Sequence, residues 1–313
     1  MTAPTASHDH DHPDIPPPVV QEVSDGVFAY VQLDGSWGLN NTGFLVGAHG
    51  VTAIDTCFTE RRSRAFLATV AAHTDAPVRT LLNTHHHGDH THGNWLLPAA
   101  TIIGHERCRE EVLASGHIAT AFFPGVDWGR LEVAPPFVTF EDRLNLYVDD
   151  LLVELHFLGP AHTTNDVVAW IPERRVLFAG DLVFNGGTPF VVMGSVAGSL
   201  VALDRLRTFE AETIVPGHGA VCDPGVIDGL AAYLRFVTET AKAGILRGLS
   251  PLDAAERADL GPFAALLDPE RLVGNLWRAY SEQRGDPLGA PVDPQAFADM
   301  VTFNGGRPMR CLA

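Results

Sequence analysis

The stretch NTHHHGDHTHGN at residues 83–94 holds five histidines and one aspartate within eight positions, and it limits the possible folds more than any other segment. It begins at the end of VRTLLNT, a short apolar run typical of a buried strand. A sheet holds the side chains at its strand ends rigidly, while the loop beyond leaves them open to a ligand. Neutral imidazole suits zinc and related divalent ions, and a nearby carboxylate adds compensating charge. The stretch therefore predicts a metal site at a strand end.

Three further segments carry a histidine or an aspartate where a predicted strand meets a loop: LGPAHTTND, FAGD and PGHG. Each alone would be an ordinary turn, because a lone histidine is usually a surface residue or a satisfied core residue. Their combination with the H-x-H-x-D-H run predicts a site for two ions. The predicted ligands of the first ion are His85, His87 and His162, those of the second are Asp89, His90 and His218, and Asp181 bridges both.

Two metal ions about 3.5–4 Å apart can share a hydroxide, because metal binding lowers the pKa of water to about 7. Such a site generates a nucleophile at neutral pH without a serine or a cysteine. We expect Asp89 to orient this nucleophile as well as to bind metal, which makes it the candidate catalytic residue. His86 and His92 are expected to hydrogen-bond to the ligands rather than to bind the ions.

The composition narrows the class of protein. With 46% hydrophobic and 19% charged residues, the 313-residue chain has the composition of a soluble globular enzyme. No apolar run approaches the ~18 residues that a membrane helix needs. A formal charge of −17 disfavours nucleic acid as a partner. The four cysteines are scattered without a C-x-x-C pair, which favours a reduced, cytoplasmic protein.

Three regions follow one another along the chain. Residues 1–20 are rich in Pro, Asp and His, which predicts a disordered tail. Residues 21–222 alternate strand-like and helix-like segments, which predicts an α/β core with helices covering the sheets. Residues 223–313 have a helical pattern, and we expect them to pack on the core. Within them, Ser250-Pro251 and Asp268-Pro269 are predicted to be pairs of an N-cap and a first helical residue.

The motifs HHHGDH, GPAHT, AGD and PGHG resemble those of the metallo-β-lactamase superfamily. This resemblance implies an αββα four-layer sandwich with a dinuclear site at one edge of two facing sheets. The flavodiiron branch carries an acidic residue where His87 stands, so the resemblance favours hydrolysis over electron transfer. True β-lactamases lack the bridging carboxylate that Asp181 would supply, which favours the thioesterase-like and glyoxalase-II-like branches.

A closer resemblance is to the bifunctional cyclase–thioesterases of aromatic polyketide biosynthesis, of the actinorhodin type. It is carried by GVDWG, PPFVTF, TPFVVMGSVAGSL, ALDRL and FNGGRPMRCLA, none of which metal chemistry demands. The family implies a partly cyclised poly-β-ketone bound as a thioester to an acyl carrier protein. It also implies closure of a second ring by aldol condensation, followed by thioester hydrolysis. Zinc is the expected metal, with iron or manganese as alternatives.

Two other functions stay open. One is a generic thioesterase or lactonase of the glyoxalase-II type that acts on small substrates, since function depends on the site rather than on the fold. The other is a metal-binding module without catalysis. A structural zinc site is closed by four ligands, so the larger predicted set weighs against this module.

An apolar pocket beside the metals is expected to hold the acyl group. Its predicted lining is Trp37, Asn41, Phe184, Phe190 and Met193, with core packing as the competing interpretation of the last three. An acidic carrier protein would need a local basic patch on this acidic chain. The candidates for the patch are Arg61, Arg62 and Arg64, or Arg271 and Arg278, with solvated helix faces as the competing interpretation.

Overall fold

Residues 19–140 and residues 143–219 each form one β-sheet, and the two sheets face each other. The computed structural model describes residues 16–313. The predicted disordered tail lies largely outside these residues. Val19 and Val20, which the prediction included in the tail, belong to the first strand, where they pair with Val31 and Tyr30.

The first sheet contains seven strands in sequential order. They are β1 (Val19–Ser24), β2 (Val27–Val31), β3 (Thr42–Val46), β4 (Val51–Ile54), β5 (Val78–Leu82), β6 (Thr101–His105) and β7 (Val138–Phe140). Strands β1 to β4 pair antiparallel, and β4 to β7 pair parallel. Each parallel pair needs a crossover connection, and each of the three connections contains a helix.

The second sheet contains five strands in the order β12-β11-β10-β9-β8. They are β8 (Arg143–Val148), β9 (Leu151–Phe157), β10 (Val167–Ile171), β11 (Val176–Asn185) and β12 (Thr213–Gly219). Only β11 and β12 pair parallel among these described strands. Gly180 of β11 pairs with Pro216 of β12, so the FAGD motif in the middle of β11 lies beside the PGHG motif at the end of β12.

Helices lie between and after the strands. They are α1 (Glu60–His73), α2 (Gly88–Thr91), α3 (Glu106–Ser115), α4 (Val196–Arg207), α5 (Val226–Leu246), α6 (Pro251–Glu256), α7 (Arg271–Gln283) and α8 (Gln295–Phe303). From residue 16 onward, no helix combines the length and the apolar character needed to cross a bilayer.

Three hydrophobic layers hold this arrangement together. On the outer face of the first sheet, Phe66 of α1 packs against Phe44 of β3 in one cluster. Between the sheets, Val27 of β2 and Leu155 of β9 belong to a second cluster. On the outer face of the second sheet, Leu177 of β11 shares a third cluster with residues of α4, α5 and α7. The predicted αββα architecture is therefore confirmed.

The two predicted helix caps in the last third of the chain have different outcomes. Ser250 caps α6, because its hydroxyl accepts a hydrogen bond from the backbone N of Asp253 at 3.0 Å. The prediction for Asp268 is wrong, since α7 begins only at Arg271. The Asp268 carboxylate instead accepts a hydrogen bond from the backbone N of Trp37 at 3.1 Å and pairs with Arg271 at 2.9 Å. These tertiary contacts replace the local cap.

The close approach of the two sheets generates a stability prediction at Gly43 of β3. A Cβ at this position would collide with the ring of Phe178 on β11. We expect Gly43→Ala to lower the free energy of unfolding by about 1–3 kcal/mol, since a packed core resists added volume. Urea denaturation followed by circular dichroism measures the change.

The matched control for this substitution is Gly229→Ala within α5, where no heavy atom lies within 4 Å of the added methyl. It should raise the free energy of unfolding by up to about 1 kcal/mol, because alanine favours the helix. Equal effects of the two substitutions would contradict the account of the sheet contact.

Candidate dinuclear metal centre and its cavity

Side chains from the two parts of the chain that form the sheets meet around one point. They come from the loop after β5, from α2, from the loop after β9, and from β11 and β12. The first group is His85, His87, His162 and Asp181, and the second is Asp89, His90 and His218. Within each group, one potential ligand atom from every residue lies within 4.8 Å of the others. The structure thus brings together the residues that the sequence singled out, in two groups that could each hold an ion.

The carboxylate of Asp181 lies between the two groups. Its Oδ1 is 3.1 Å from Nε2 of His90. Its Oδ2 is 3.3 Å from Nε2 of His162 and 3.4 Å from Nε2 of His218. Gly217 makes this position possible, because a Cβ there would take the place of Oδ1. One carboxylate can therefore reach an ion in either group.

Several buried atoms of the cluster have no hydrogen-bond partner among residues 16–313. They are Nε2 of His85, His87 and His90, and Oδ1 of Asp181. Leaving a buried polar atom unpaired costs about 1–3 kcal/mol, so such atoms need an explanation. These unpaired atoms are imidazole nitrogens and a carboxylate oxygen, which are atoms that bind divalent transition metals. The donor set fits two divalent metal ions.

The electrostatics of the cluster are dominated by burial and by Asp181. Burial, reinforced by neighbouring His90, lowers the pKa of His85 well below its usual range. Burial also opposes a charge on His218, but the Asp181 carboxylate outweighs it and raises the pKa of His218 to about 9. Burial would raise the pKa of Asp181, yet His218 and His90 hold that pKa well below its usual range. The buried negative charge needs a cationic partner, which a divalent ion can be.

Asp55, which the sequence analysis missed, orients His90. It follows β4, is buried, and has a φ of 59°. Its Oδ2 accepts hydrogen bonds from Nδ1 of His90 at 2.8 Å and from Oγ1 of Thr84 at 2.7 Å. A carboxylate on Nδ1 fixes the tautomer that leaves Nε2 free for a metal. The only signal in the sequence was an aspartate directly after a predicted strand.

Two other histidines of the cluster are oriented through their Nδ1 atoms. Nδ1 of His218 donates to the carbonyl oxygen of Gly35 at 3.0 Å. Nδ1 of His162 donates to the carbonyl oxygen of Phe190. Since a carbonyl oxygen only accepts, each Nδ1 carries the proton, and Nε2 points toward Asp181.

The expected hydrogen bonds from His86 and His92 to the ligands are not formed. Nδ1 of His86 lies 2.9 Å from the Asn165 amide nitrogen, and Nδ1 of His92 donates to the carbonyl oxygen of Phe58 at 3.2 Å. Both histidines line the cavity described next. The prediction failed because neighbouring loops, rather than the ligands, supply the partners.

A cavity opens over the cluster and contains about 840 Å³ of non-protein space, counted with its opening to solvent. Trp37, Phe184, Phe190 and Met193, which the sequence analysis placed beside the metals, are in its wall. Further apolar residues of the wall come from distant segments, and no local pattern pointed to them. They are Phe58, Ile118, Phe122, Phe123, Phe297 and Met309. The cavity is therefore mainly aromatic, with the metal cluster on one side.

Asn41 is placed differently from the sequence prediction, because it lies outside the wall of the cavity. Its side chain accepts a hydrogen bond from the backbone N of Gln32 and donates to the carbonyl oxygens of Pro216 and Gly219. These bonds tie the first sheet to the loop end of β12. Asn41 is therefore a buried residue whose hydrogen bonds connect the two sheets, and it does not line the cavity.

The predicted basic patch at Arg271 and Arg278 is wrong. Both side chains are 1% exposed, because their guanidinium groups donate to buried carbonyl oxygens. Of the other candidates, Arg61 is exposed, and Arg64 is exposed but pairs with Glu60 at 2.8 Å.

Comparison with known proteins places this geometry in a family. The family model of the metallo-beta-lactamase superfamily matches residues 35–218, which is more than half of the chain. The chain belongs to this superfamily. The matched residues include both groups of the cluster, so the chain is a metallo-β-lactamase-fold hydrolase with a candidate dinuclear site for divalent metal ions.

Individual relatives within the superfamily have diverse activities. The chain is 27% identical over 207 residues to 2,4-dinitroanisole O-demethylase subunit alpha of a Nocardioides species, a match of 64% of this chain and 55% of that one. It is 31% identical over 227 residues to a hydroxyacylglutathione hydrolase of Rhodospirillum rubrum, covering 71% and 77%. A metallo-beta-lactamase from Pontibacter korlensis superposes with a TM-score of 0.59 at 19% identity, covering 70% and 99%. That likeness shows the shared fold alone.

The contact between Asp55 and His90 predicts an effect on metal binding. We expect Asp55→Asn to weaken metal binding by about 10- to 100-fold, because the amide no longer fixes the imidazole tautomer. Competition with a chromophoric chelator measures the affinity.

Asp149→Asn is the matched control, since Asp149 also has a positive φ, of 53°, but caps a loop remote from the cluster. It should leave the affinity within about twofold of wild type, because asparagine tolerates the same backbone conformation. Unchanged affinity in Asp55→Asn would contradict the orienting role.

Proposed function

We propose that this protein hydrolyses the thioester of an aromatic polyketide intermediate carried on an acyl carrier protein, and that it closes the second ring of that intermediate. The observation that carries the proposal is that the metal cluster and an aromatic cavity share one space. A flat apolar acyl group held in this cavity would present its thioester carbonyl to the cluster.

The chemistry of the proposed reaction divides between the ions and the chain. Two divalent ions, with zinc expected and iron or manganese as alternatives, would supply Lewis-acid activation of water and of a carbonyl group. Asp89 lines the cavity, and its Oδ2 lies 3.3 Å from Nε2 of His218. From this position we expect it to orient the attacking water. A thiolate leaves readily, so the reaction needs no strong general acid.

The aromatic wall supports an aromatic acyl group. The ring of Trp37 meets that of Phe190 at 5.0 Å with an interplanar angle of 77°, and that of Phe123 at 5.6 Å. Edge-to-face contacts of this kind hold planar rings in defined orientations. Such walls would hold a folded poly-β-ketone so that its two reacting carbons meet. They would also exclude water from the rest of the polyketide.

The alternative is a generic thioesterase or lactonase for small substrates, and the similarity to hydroxyacylglutathione hydrolases favours it. The cavity argues against a charged glutathione moiety. Arg271 is the one Lys or Arg side chain in the described lining, and Asp268 already pairs with it at 2.9 Å. The carboxylates of such a substrate would therefore lack a free Lys or Arg side chain as a partner in the described lining.

The proposal also includes the partner and the location. The carrier protein would dock beside the cavity opening, and the formal charge of −17 disfavours nucleic acid as a partner. All four cysteines are free, which suits a cytoplasmic protein.

The proposal predicts substrate-selective thiol release. Wild-type protein should release thiol from an aryl poly-β-ketone thioester faster than from an acyl-glutathione, and should not open a simple lactone at a comparable rate. Asp89→Asn should lower kcat for the aryl thioester by about 100-fold or more, because the attacking water loses its orienting base. A thiol-reactive dye follows all the reactions except lactone opening, for which a pH indicator serves.

Asp150→Asn is the control for this series, since Asp150 is an exposed aspartate in the turn between β8 and β9 and does not line the cavity. It should keep wild-type rates. Equal or faster turnover of acyl-glutathione would favour the generic hydrolase, and full activity of Asp89→Asn would contradict the assigned role of its carboxylate.

A further inference from the structure

The last third of the chain supplies a buried cation to the cavity wall. The superfamily match ends at residue 218, but Arg271, the first residue of α7, lines the cavity and is 1% exposed. Its guanidinium carbon lies 3.9 Å from the ring centroid of Trp37 and 5.3 Å from that of Phe184. A planar guanidinium at this distance stacks on an aromatic face and is attracted by it.

Hydrogen bonds hold the guanidinium in this plane. Nη1 donates to the carbonyl oxygen of Thr188 at 3.0 Å, and Nη2 pairs with Oδ2 of Asp268 at 2.9 Å. Because Asp268 already compensates its charge, Arg271 is not free to bind a substrate carboxylate. Its guanidinium instead lies over the ring of Trp37.

Asp268 and Glu270, which lie just before Arg271 in the sequence, also bind Trp37 through hydrogen bonds. The backbone N of Trp37 donates to Oδ2 of Asp268 at 3.1 Å, and its indole Nε1 donates to Oε1 of Glu270 at 2.7 Å. Trp37 is therefore held by one backbone donor and one indole donor, and its ring is stacked on one face. Its remaining contacts are with cavity rings, such as the edge-to-face contact with Phe190 at 5.0 Å.

We propose that Arg271 is a positioning residue that fixes the indole of Trp37 as a rigid wall of the cavity, and thereby sets the preference for flat aromatic acyl groups over small ones. The inference deepens the proposed function, since it takes this cavity as the acyl site. Lysine cannot replace Arg271, because its ammonium is a point charge without a planar face.

Binding of a naphthyl methyl ketone to the metal-loaded full chain tests the proposal by calorimetry. The ketone has no hydrolysable bond, so the result stands even if the protein proves not to be a thioesterase. We expect Arg271→Lys to weaken binding about tenfold, because an indole that is no longer fixed would have to be ordered when the ketone binds. Arg271→Gln, which keeps a planar amide without the charge, should also weaken binding and serves if the lysine variant does not fold.

The matched control is Arg278→Lys, because Arg278 is equally buried on the same helix but donates to the carbonyl oxygen of Val192 and does not line the cavity. It should change the Kd by less than about twofold, since it has no contact with the wall. In a Trp37→Leu background, Arg271→Lys should have no further effect, because its action passes through the indole.

Three results would overturn the proposal: wild type that does not bind the ketone, an Arg278→Lys variant that loses as much affinity as Arg271→Lys, or an Arg271→Lys effect that persists in full without Trp37. The first would remove the aromatic site itself. The second would reduce the effect to general destabilisation. The third would mean that Arg271 contacts the ligand directly.

Discussion

The buried carboxylate of Asp181 is the interaction on which the rest of the structure depends. It is 6% exposed and lies within 3.4 Å of imidazole nitrogens from three separate segments. A buried charge is tolerated only when it is fully compensated, so those segments must converge on it. The parallel pairing of β11 and β12 makes the convergence possible, and Gly217 leaves the space that the carboxylate oxygen occupies. Both sheets then serve to hold ligands at one point.

The superfamily core and the residues that follow it contribute different parts of the site. The superfamily core, residues 35–218, carries the metal cluster, and its ligand geometry follows from strand ends and short loops. The following residues add Arg271, Phe297 and Met309 to the cavity wall. One fold can serve many substrates when the same kind of reactive site is combined with cavity walls that differ between proteins.

The sequence predicted the elements whose signal is local. The H-x-H-x-D-H run and the short motifs LGPAHTTND, FAGD and PGHG identified the residues of the cluster. Each of these motifs consists of consecutive residues, so it can be recognised without knowledge of the fold. Asp55 was missed, since its partner His90 is 35 positions away and a single aspartate after a strand has no distinguishing pattern. Asn41 and Asp268 were misassigned because contacts with distant residues, rather than neighbours in sequence, decide where they point.

The central claim is that Asp181 joins two metal ions within one cluster. Crystals of the protein reconstituted with zinc, measured at the zinc absorption edge, test it directly through anomalous difference density. The account predicts two peaks about 3.5–4 Å apart on either side of the Asp181 carboxylate. One peak should lie against His85, His87 and His162, and the other against Asp89, His90 and His218. A single peak, or two peaks that do not share Asp181, would contradict the account.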